Sequence, residues 1–373
     1  MASIIRTFII LITAVLMICC THDDSQSLNT AQTNSKVSIS ILKTATKVSD
    51  GIIPYDAQIN RLTFLVFDAS DLLVRVVHCV DSDISVINST SYYDYEVTAG
   101  LSMPEGFNPE TYTILAYANV SNDHFTHVGI TDVDNQIRPN VDISFTERLI
   151  TLRTAKQIAD AGELIPMYGV LQAEANETGG FIIGGLLRRS MARINLKLAD
   201  SGVTVTGSPP TGLGDFVMHR AYLYFASEHG NITHVPDHYG QYVLTIPDKV
   251  KILTGEDDKE HVPQTLNFTD GITNFAPIYT YEYDARYFTS VPMLYLEASF
   301  TGEIDKVYSY MLSLEDANSK QGISIFRNTE YNVEITHVPY PDQLTPPVVP
   351  ISVLYKIVIK KWVEHEIPLP DYW

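Results

Sequence analysis

The sequence predicts an all-β chain with two β-sandwich domains in tandem, preceded by a signal peptide and a polar tether. Segments that alternate apolar and polar residues recur along the chain, which is the pattern of half-buried strands, whereas helical periodicity is weak. Tyr is abundant, at 22 copies against 2 Trp, and this bias favours β structure. A length of 373 residues with 45% apolar content provides enough material for two cores.

The amino terminus has the pattern of a bacterial lipoprotein signal. Arg6 precedes an apolar run over residues 7–18, which is shorter than a membrane span of about 20 residues and fits the core of a signal peptide. Cleavage before Cys20 would remove residues 1–19 and leave Cys20 as the acylated first residue, with cleavage before Cys19 as the alternative. Residues 20–35 are mostly polar and form a flexible, lipidated tether.

The first sandwich domain is predicted over residues 36–203. Its strongest local feature is a hairpin, in which two apolar strands are separated only by Ala69-Ser70-Asp71. One short helical segment is expected over residues 154–162. The predicted strands, in order, are 37–41, 59–67, 72–80, 92–97, 112–118, 182–183 and 191–198.

The second sandwich domain is predicted over residues 204–373, because a cluster of Gly and Pro at 206–212 marks a break in the chain. A Pro-rich hinge over residues 339–350 interrupts strand pairing near the end, and a last strong strand follows at 351–362. The other predicted strands are 220–226, 241–246, 278–283, 293–301, 307–314 and 330–336.

Composition and motifs argue against several functions. A formal net charge of −19 argues against nucleic-acid binding, which requires clustered Lys and Arg. Three cysteines, two of them in the signal region, exclude a disulfide framework. His229, His234 and His238 could ligate zinc, but no fourth ligand is fixed by the spacing, so a polar loop is the simpler interpretation. No catalytic motif is present, and no enzyme, metal or cofactor is predicted.

Six segments along nearly the whole mature chain follow the order of one known family: 37–44, 60–67, 165–169, 188–194, 279–282 and 327–333. They resemble segments of the fimbrillins, the type V pilus subunits of Bacteroidetes. Arg188–Ile194 resembles the family's basic Arg-x-x-Ala-Arg strand, and Arg327–Val333 its Arg-Asn-x-x-Tyr-x-Val element. The remaining similar segments are Val37–Thr44, Asn60–Phe67, Ile165–Gly169 and Tyr279–Glu282. The terminal strand that closes on Lys361-Trp362, and the final Trp373, also fit.

The resemblance implies two transthyretin-like sandwiches and assembly by donor-strand exchange. In that family a protease removes the first strand of a lipidated precursor, and a strand from the next subunit fills the groove. Family cleavage often follows an Arg, but Lys43 and Lys47 are the basic residues available between Lys36 and Arg61, so they are the candidate processing sites. The donor would be the terminal arm, residues 351–373, with alternate residues on one face: Ile351, Val353, Tyr355, Ile357 and Ile359. The alternative for that segment is an ordinary last strand of the second sandwich.

The predicted function is that of a structural subunit of a cell-surface fimbria, with a role in adhesion. Its expected partners are other fimbrial subunits in a head-to-tail polymer, outer-membrane lipid through Cys20, and host or bacterial surface ligands. Two alternatives stay open. One is a lipid-anchored base or tip component of the same pilus, and the other is an unrelated glycan-binding surface lipoprotein.

Overall fold

The computed structural model describes a β-rich body in which the strands of the two parts of the chain form separate sheets. The described residues are 35–42, 55–88, 92–101, 103–104, 106–131, 136–138, 141–149, 151, 158, 163–175, 177, 180–224, 229–234, 264–267, 277–282, 292–303, 306–314, 322–341, 351–352 and 354–361.

The amino-terminal part contains nine described strands in one continuous hydrogen-bonded path. Along this path the order is β3-β2-β6-β7-β8-β1-β5-β4, and β9 pairs with β7. The strands are β1 (Ser35–Leu42), β2 (Arg61–Phe67), β3 (Leu73–Val80), β4 (Ile84–Asn88), β5 (Tyr92–Leu101), β6 (Thr113–Ala118), β7 (Met167–Ala175), β8 (Phe181–Leu186) and β9 (Arg188–Arg189).

Strand β7 is shared by the two layers of this part, because it pairs with β6 through its first half and with β8 through its second half. Gly169 lies in the first half of β7, opposite Ala116 of β6. A Cβ atom at this position would meet the carbonyl oxygen of Leu186, so only glycine permits the close approach. One core between the layers includes Phe64, Tyr95 and Ile183, each at most 1% exposed.

The carboxy-terminal part contains two five-stranded sheets. One has the order β11-β17-β10-β14 with β19 also paired to β17, and the other has the order β13-β12-β15-β16-β18. Their strands are β10 (Ala192–Leu198), β11 (Thr204–Thr206), β12 (Phe216–Tyr224), β13 (Gln264–Asn267), β14 (Ile278–Thr280), β15 (Met293–Phe300), β16 (Tyr308–Ser313), β17 (Thr329–Pro339), β18 (Ile351–Ser352) and β19 (Leu354–Lys361).

Burial along these strands has the period of two that the sequence predicts. Buried and half-buried residues alternate through β15 and β16. The buried set includes Leu294, Leu296 and Leu312, which pack in one core with Ile194 of β10 and Val333 of β17. The strand content confirms the predicted all-β class.

Several predicted elements are confirmed and others need correction. The hairpin across residues 69–71 is confirmed, since β2 and β3 pair in antiparallel register from Arg61↔Val80 to Phe67↔Leu73. The terminal segment is two strands, β18 and β19, which pair with different sheets, rather than one uninterrupted strand. A short α-helix, α1 (Asn122–His127), and strand β4 are present where no element was predicted. Residues 241–246 lie outside the described residues, as does most of the predicted helix at 154–162.

Strand β10 pairs with β14 and β17, which are strands of the carboxy-terminal part. The sequence-based division places this strand in the first domain. The division into two domains stays a prediction, and the pairing favours a boundary before residue 192 over one after residue 203.

Candidate strand-exchange site and the buried junction beside it

The first strand, β1, lies in the interior of the amino-terminal sheet path. It pairs antiparallel with β5, from Ser35↔Leu101 to Leu42↔Tyr92. On its other edge it pairs parallel with β8, from Lys36↔Ile182 to Ser40↔Leu186. Both edges of β1 are therefore hydrogen-bonded to neighbours, so the strand occupies a slot between β5 and β8.

The neighbours of β1 face the core at alternate positions. Val37 lies opposite Val97 of β5 and Ile183 of β8, which are 3% and 0% exposed. Ile39 lies opposite Tyr95, which is 1% exposed. The slot that β1 fills thus borders the apolar core between the layers.

The terminal arm lies at an edge of the carboxy-terminal sheets. Strand β18 pairs parallel with β16 over two residues, Tyr310↔Ile351 and Met311↔Ser352. Strand β19 pairs antiparallel with β17, and among the described strands β17 is its one neighbour. Three predicted donor positions lie opposite buried residues of β17, in the pairs Ile335↔Tyr355, Val333↔Ile357 and Tyr331↔Ile359.

Tyr340, near the start of the Pro-rich segment over residues 339–350, is held against the body of the protein. Its backbone N–H donates to the Thr206 carbonyl at 2.8 Å, and its hydroxyl donates to a carboxylate oxygen of Glu303 at 2.8 Å. Its ring packs against those of Phe300 and Tyr308. The arm beyond residue 341 therefore starts from an immobilised point.

A buried ion-pair network joins the residues that follow β1 to the carboxy-terminal sheets. The Asp56 carboxylate, 1% exposed, lies 2.9 Å from Nη1 of Arg193 on β10. Nη2 of the same arginine lies 2.6 Å from Glu330 on β17. Asn195 donates to the other oxygen of Glu330 at 2.9 Å. Each charge has an opposite charge within contact distance, as a buried site requires.

A second arginine cluster lies at the same junction. Arg327 contacts the Glu282 carboxylate at 2.6 Å and donates to the carbonyls of Asn231 and Ile232 at 2.8 and 2.9 Å. Ile232, fully buried, packs in a core cluster with residues of the amino-terminal sheets. His234 is 7% exposed, and burial together with the Arg327 and Arg188 charges lowers its pKa to about 3.

Three of the segments that carry the family resemblance therefore meet in space. Arg193 comes from the Arg188–Ile194 segment, Glu282 from Tyr279–Glu282, and Arg327 and Glu330 from Arg327–Val333. Sequence reasoning identified these residues as motif positions but did not predict that they pair with one another. Asp56, Glu282 and Arg327 lie outside the strands, so strand alternation gave no signal for their buried pairing.

Several of the site residues predicted from the sequence lie outside the part of the chain that the structure describes. Cys20, Lys43, Lys47, Val353 and His238 lie outside the described residues. His229 contacts the Thr151 carbonyl at 2.9 Å through Nδ1. Across the described ranges, no group of three His, Cys, Asp or Glu side chains is arranged to hold a metal ion.

Two further observations concern cysteine and membrane spans. Burial, with a smaller contribution from Asp83, raises the pKa of the Cys79 thiol to about 11, so this thiol is neutral at physiological pH. Within the part of the chain that the structure describes, no helix has the length and apolar character needed to cross a bilayer.

Comparison with known proteins gives matches among solved structures. A candidate cell adhesion protein from Parabacteroides distasonis is 15% identical, with a TM-score of 0.55, over 90% of this chain and 99% of that one. Another from Bacteroides eggerthii is 14% identical, with a TM-score of 0.51, over 88% of this chain and 96% of that one. The chain has the fold of these two proteins.

The similarity to these two cell adhesion proteins is at the level of the fold. A fimbrilin from Porphyromonas gingivalis also aligns, at 15% identity and a TM-score of 0.49, over 89% of this chain and 98% of its own. No protein-family model and no curated protein matches the sequence.

Proposed function

We propose that this chain is a structural subunit of a cell-surface fimbria and that it polymerises by donor-strand exchange. The observation that carries the proposal is the position of β1, a strand near the amino terminus that fills an interior slot between β5 and β8. Both proteins with this fold are described as cell adhesion proteins, and this supports a role at the cell surface. The role is structural rather than catalytic.

Removal of β1 would create an acceptor for a strand. It would leave the N–H and C=O groups of β5 and β8 without partners along the slot, next to an apolar core. A strand supplied by another subunit satisfies the backbone and covers the core together. Because the groove and the arm are different surfaces, the contact is head to tail and produces a filament.

The terminal arm is the proposed donor. It follows the Pro-rich segment and starts from the immobilised Tyr340, so it can leave without disturbing the body. Within its own chain the arm has one parallel neighbour, β16, and one antiparallel neighbour, β17. In β1 one parallel and one antiparallel neighbour flank the same residues, and the arm would gain this arrangement in the slot of another subunit.

We further propose that Cys20 is acylated and holds the precursor in the outer membrane before processing after Lys43 or Lys47. A fatty-acid label should be lost in Cys20→Ala and retained in Cys19→Ala. Mass spectrometry of the amino terminus of surface-assembled protein should show a chain that starts beyond residue 42. An assembled chain that still contains residues 35–42 would contradict strand removal.

The donor role has its own test. A chain truncated after Pro350 should fold and keep its thermal unfolding midpoint within a few degrees, yet form no SDS-resistant ladder. A truncated chain that unfolds would show that the arm is an integral strand of its own sandwich.

A matched pair of substitutions sharpens the result. Ile357→Asp introduces a carboxylate at a position that would face the acceptor core, at a cost of several kcal/mol, and should abolish the ladder. Lys356→Gln, one residue earlier and on the other face, should leave the ladder intact. Equal effects of the two substitutions would contradict insertion of this face.

A chain-ending subunit is the second candidate, and one observation favours it. All eight residues of β19 lie alongside β17 of the same chain, with Leu354 opposite His337 and Lys361 opposite Thr329. If that pairing persists in the mature protein, the chain accepts a strand but donates none, as a tip component would. If β1 is retained instead, the chain donates its terminal strand but cannot accept a strand from another subunit, as a base component would. The amino-terminal mass and the truncation distinguish these cases.

A further inference from the structure

Loss of β1 would divide the amino-terminal sheet path. Among the described strands, β5 pairs with β1 and β4, and β4 pairs with β5 alone. Without β1, the β4–β5 pair would have no ladder to the rest of the sheet. Another contact must hold β5 in place if the slot is to keep its width for an incoming strand.

We infer that Tyr95 and the segment Asp56–Gln58 form an anchor that holds β5 in position when β1 is absent. This inference rests on the proposed removal of β1. Tyr95, on β5, lies opposite Ile39 of β1 and is 1% exposed. Its hydroxyl donates to the carbonyl of Ala57 at 2.5 Å. Tyr95 thus connects the wall of the slot to a segment outside the sheet.

The segment Asp56–Gln58 is itself held by side chains of the body. The Asp56 carbonyl accepts a hydrogen bond from Nε of Arg189, on β9. The Gln58 carbonyl accepts one from Asn119 at 2.9 Å, just after β6. Three consecutive carbonyls, those of residues 56, 57 and 58, therefore accept bonds from three different elements.

The Asp56 side chain provides a further attachment through its 2.9 Å ion pair with Arg193. Asn119 also donates to the Ile165 carbonyl at 2.9 Å, which ties the same cluster to the chain leading into β7. The donors Arg189, Tyr95, Asn119 and Arg193 all lie outside β1. The anchor therefore does not depend on β1, and it lies on the mature side of Lys43 and Lys47.

A slot held in this way is preorganised for its ligand. An incoming strand that meets a fixed β5 has to order only itself, whereas a detached β4–β5 pair would have to be ordered as well. Tyr95, Asp56 and Asn119 are thus positioning residues for strand uptake, because they act on β5 and not on the donor.

The test measures amide hydrogen exchange at residues 84–88 of β4, which bond to β5 and not to β1. Three prolines at the successive positions Ser38, Ile39 and Ser40 displace β1 in the full chain, because neighbouring residues direct their N–H groups to β5 and β8 in turn and both ladders lose donors. Tyr95→Phe is combined with this background. Tyr331→Phe is the control, since Tyr331 of β17 is also 1% exposed and its hydroxyl donates to the Ser324 carbonyl and accepts from the Phe326 N–H, away from the amino-terminal sheets.

We expect β4 exchange in the triple-proline chain to stay close to that of the unmodified chain. Adding Tyr95→Phe should accelerate it by about fivefold to tenfold, the factor for loss of one buried hydrogen bond. Tyr95→Phe with β1 in place, and Tyr331→Phe in either background, should have much smaller effects. Asn119→Gly removes the amide at a residue whose φ of 60° glycine adopts readily, and should act like Tyr95→Phe.

Equal acceleration by Tyr95→Phe with and without β1 would overturn the inference. So would rapid β4 exchange, or failure to fold, in the triple-proline chain that retains Tyr95. Because the measurement uses unpolymerised protein, its result is independent of whether the chain donates its arm. A normal anchor in a protein that never polymerises would count against the proposed function alone.

Discussion

The two terminal strands of the described body differ in how they are held. Strand β1 is bonded along both edges, to β5 and β8, whereas β19 is bonded along one edge, to β17. An interior strand can leave only if both ladders break together, while an edge strand can separate from one end. The difference explains why the proposed mechanism needs proteolysis at one end of the chain and only a conformational change at the other.

The largest expected effect concerns the network that connects these two regions. Arg193 on β10 bridges Asp56, which follows β1, and Glu330 on β17, which carries β19. Arg193→Met would leave two buried carboxylates without their shared cation. We expect a loss of about 3–5 kcal/mol in the free energy of unfolding, measured by urea denaturation.

A control substitution for Arg193→Met is available on the same strand, β10. Lys197 lies opposite Glu334 in the parallel register that places Arg193 opposite Glu330, but its side chain is 34% exposed and its contact with Glu334 is 3.4 Å. Lys197→Met should cost at most about 1 kcal/mol, because solvent screens an exposed pair. Similar costs for the two substitutions would show that the buried network does not stabilise the junction.

Single proline substitutions test the comparison between the ends directly. Every N–H in the interior of β1 faces either β5 or β8, so proline at each position from 37 to 41 should cost about 3 kcal/mol or more. In β19 only alternate N–H groups face β17, so the effect of proline should alternate from 355 to 359 and stay within the few degrees expected for loss of the whole arm. Thermal unfolding of the two series measures the pattern.

A uniform cost along β19 would contradict the edge position of the strand. It would mean that a second neighbour occupies its other side in the folded protein, and the arm would then be no easier to release than β1.

The pattern of apolar and polar residues within short segments was sufficient to predict much of the fold. The β2–β3 hairpin was predictable because strand alternation and a three-residue connection, in which Asp71 takes a positive φ of 59°, are properties of adjacent residues. The sheet to which a strand belongs is not a local property. Strand β10 was assigned by its position in the chain, yet its partners are β17, more than a hundred residues later, and β14.

Prediction of the candidate site from the sequence had the same limit, because the site depends on contacts between distant parts of the chain. The alternation of the terminal arm was visible, but the change of sheet between β18 and β19 depends on where β16 and β17 lie. Asp56 and Glu330 would be read as surface charges from the sequence, because Asp and Glu are seldom buried. Only the fold shows that Arg193 lies between them.

The smallest expected effect is the response of the junction to acid, and His234 dominates it. The folded-state pKa of about 3 is lower than the value of about 6.5 expected for the unfolded chain. Below about pH 6.5 the unfolded chain binds a proton that the folded chain does not bind until about pH 3. The contribution of His234 to the free energy of unfolding is therefore highest above about pH 6.5, and it decreases as the pH falls from there towards 3.

Between pH 7 and pH 5 the free energy of unfolding should fall by roughly 2 kcal/mol because of His234. Urea unfolding of His234→Gln at these two pH values should show a smaller decrease by that amount. Equal decreases in the unmodified chain and His234→Gln would mean that burial and the charges of Arg327 and Arg188 do not lower the pKa of His234 in the folded chain.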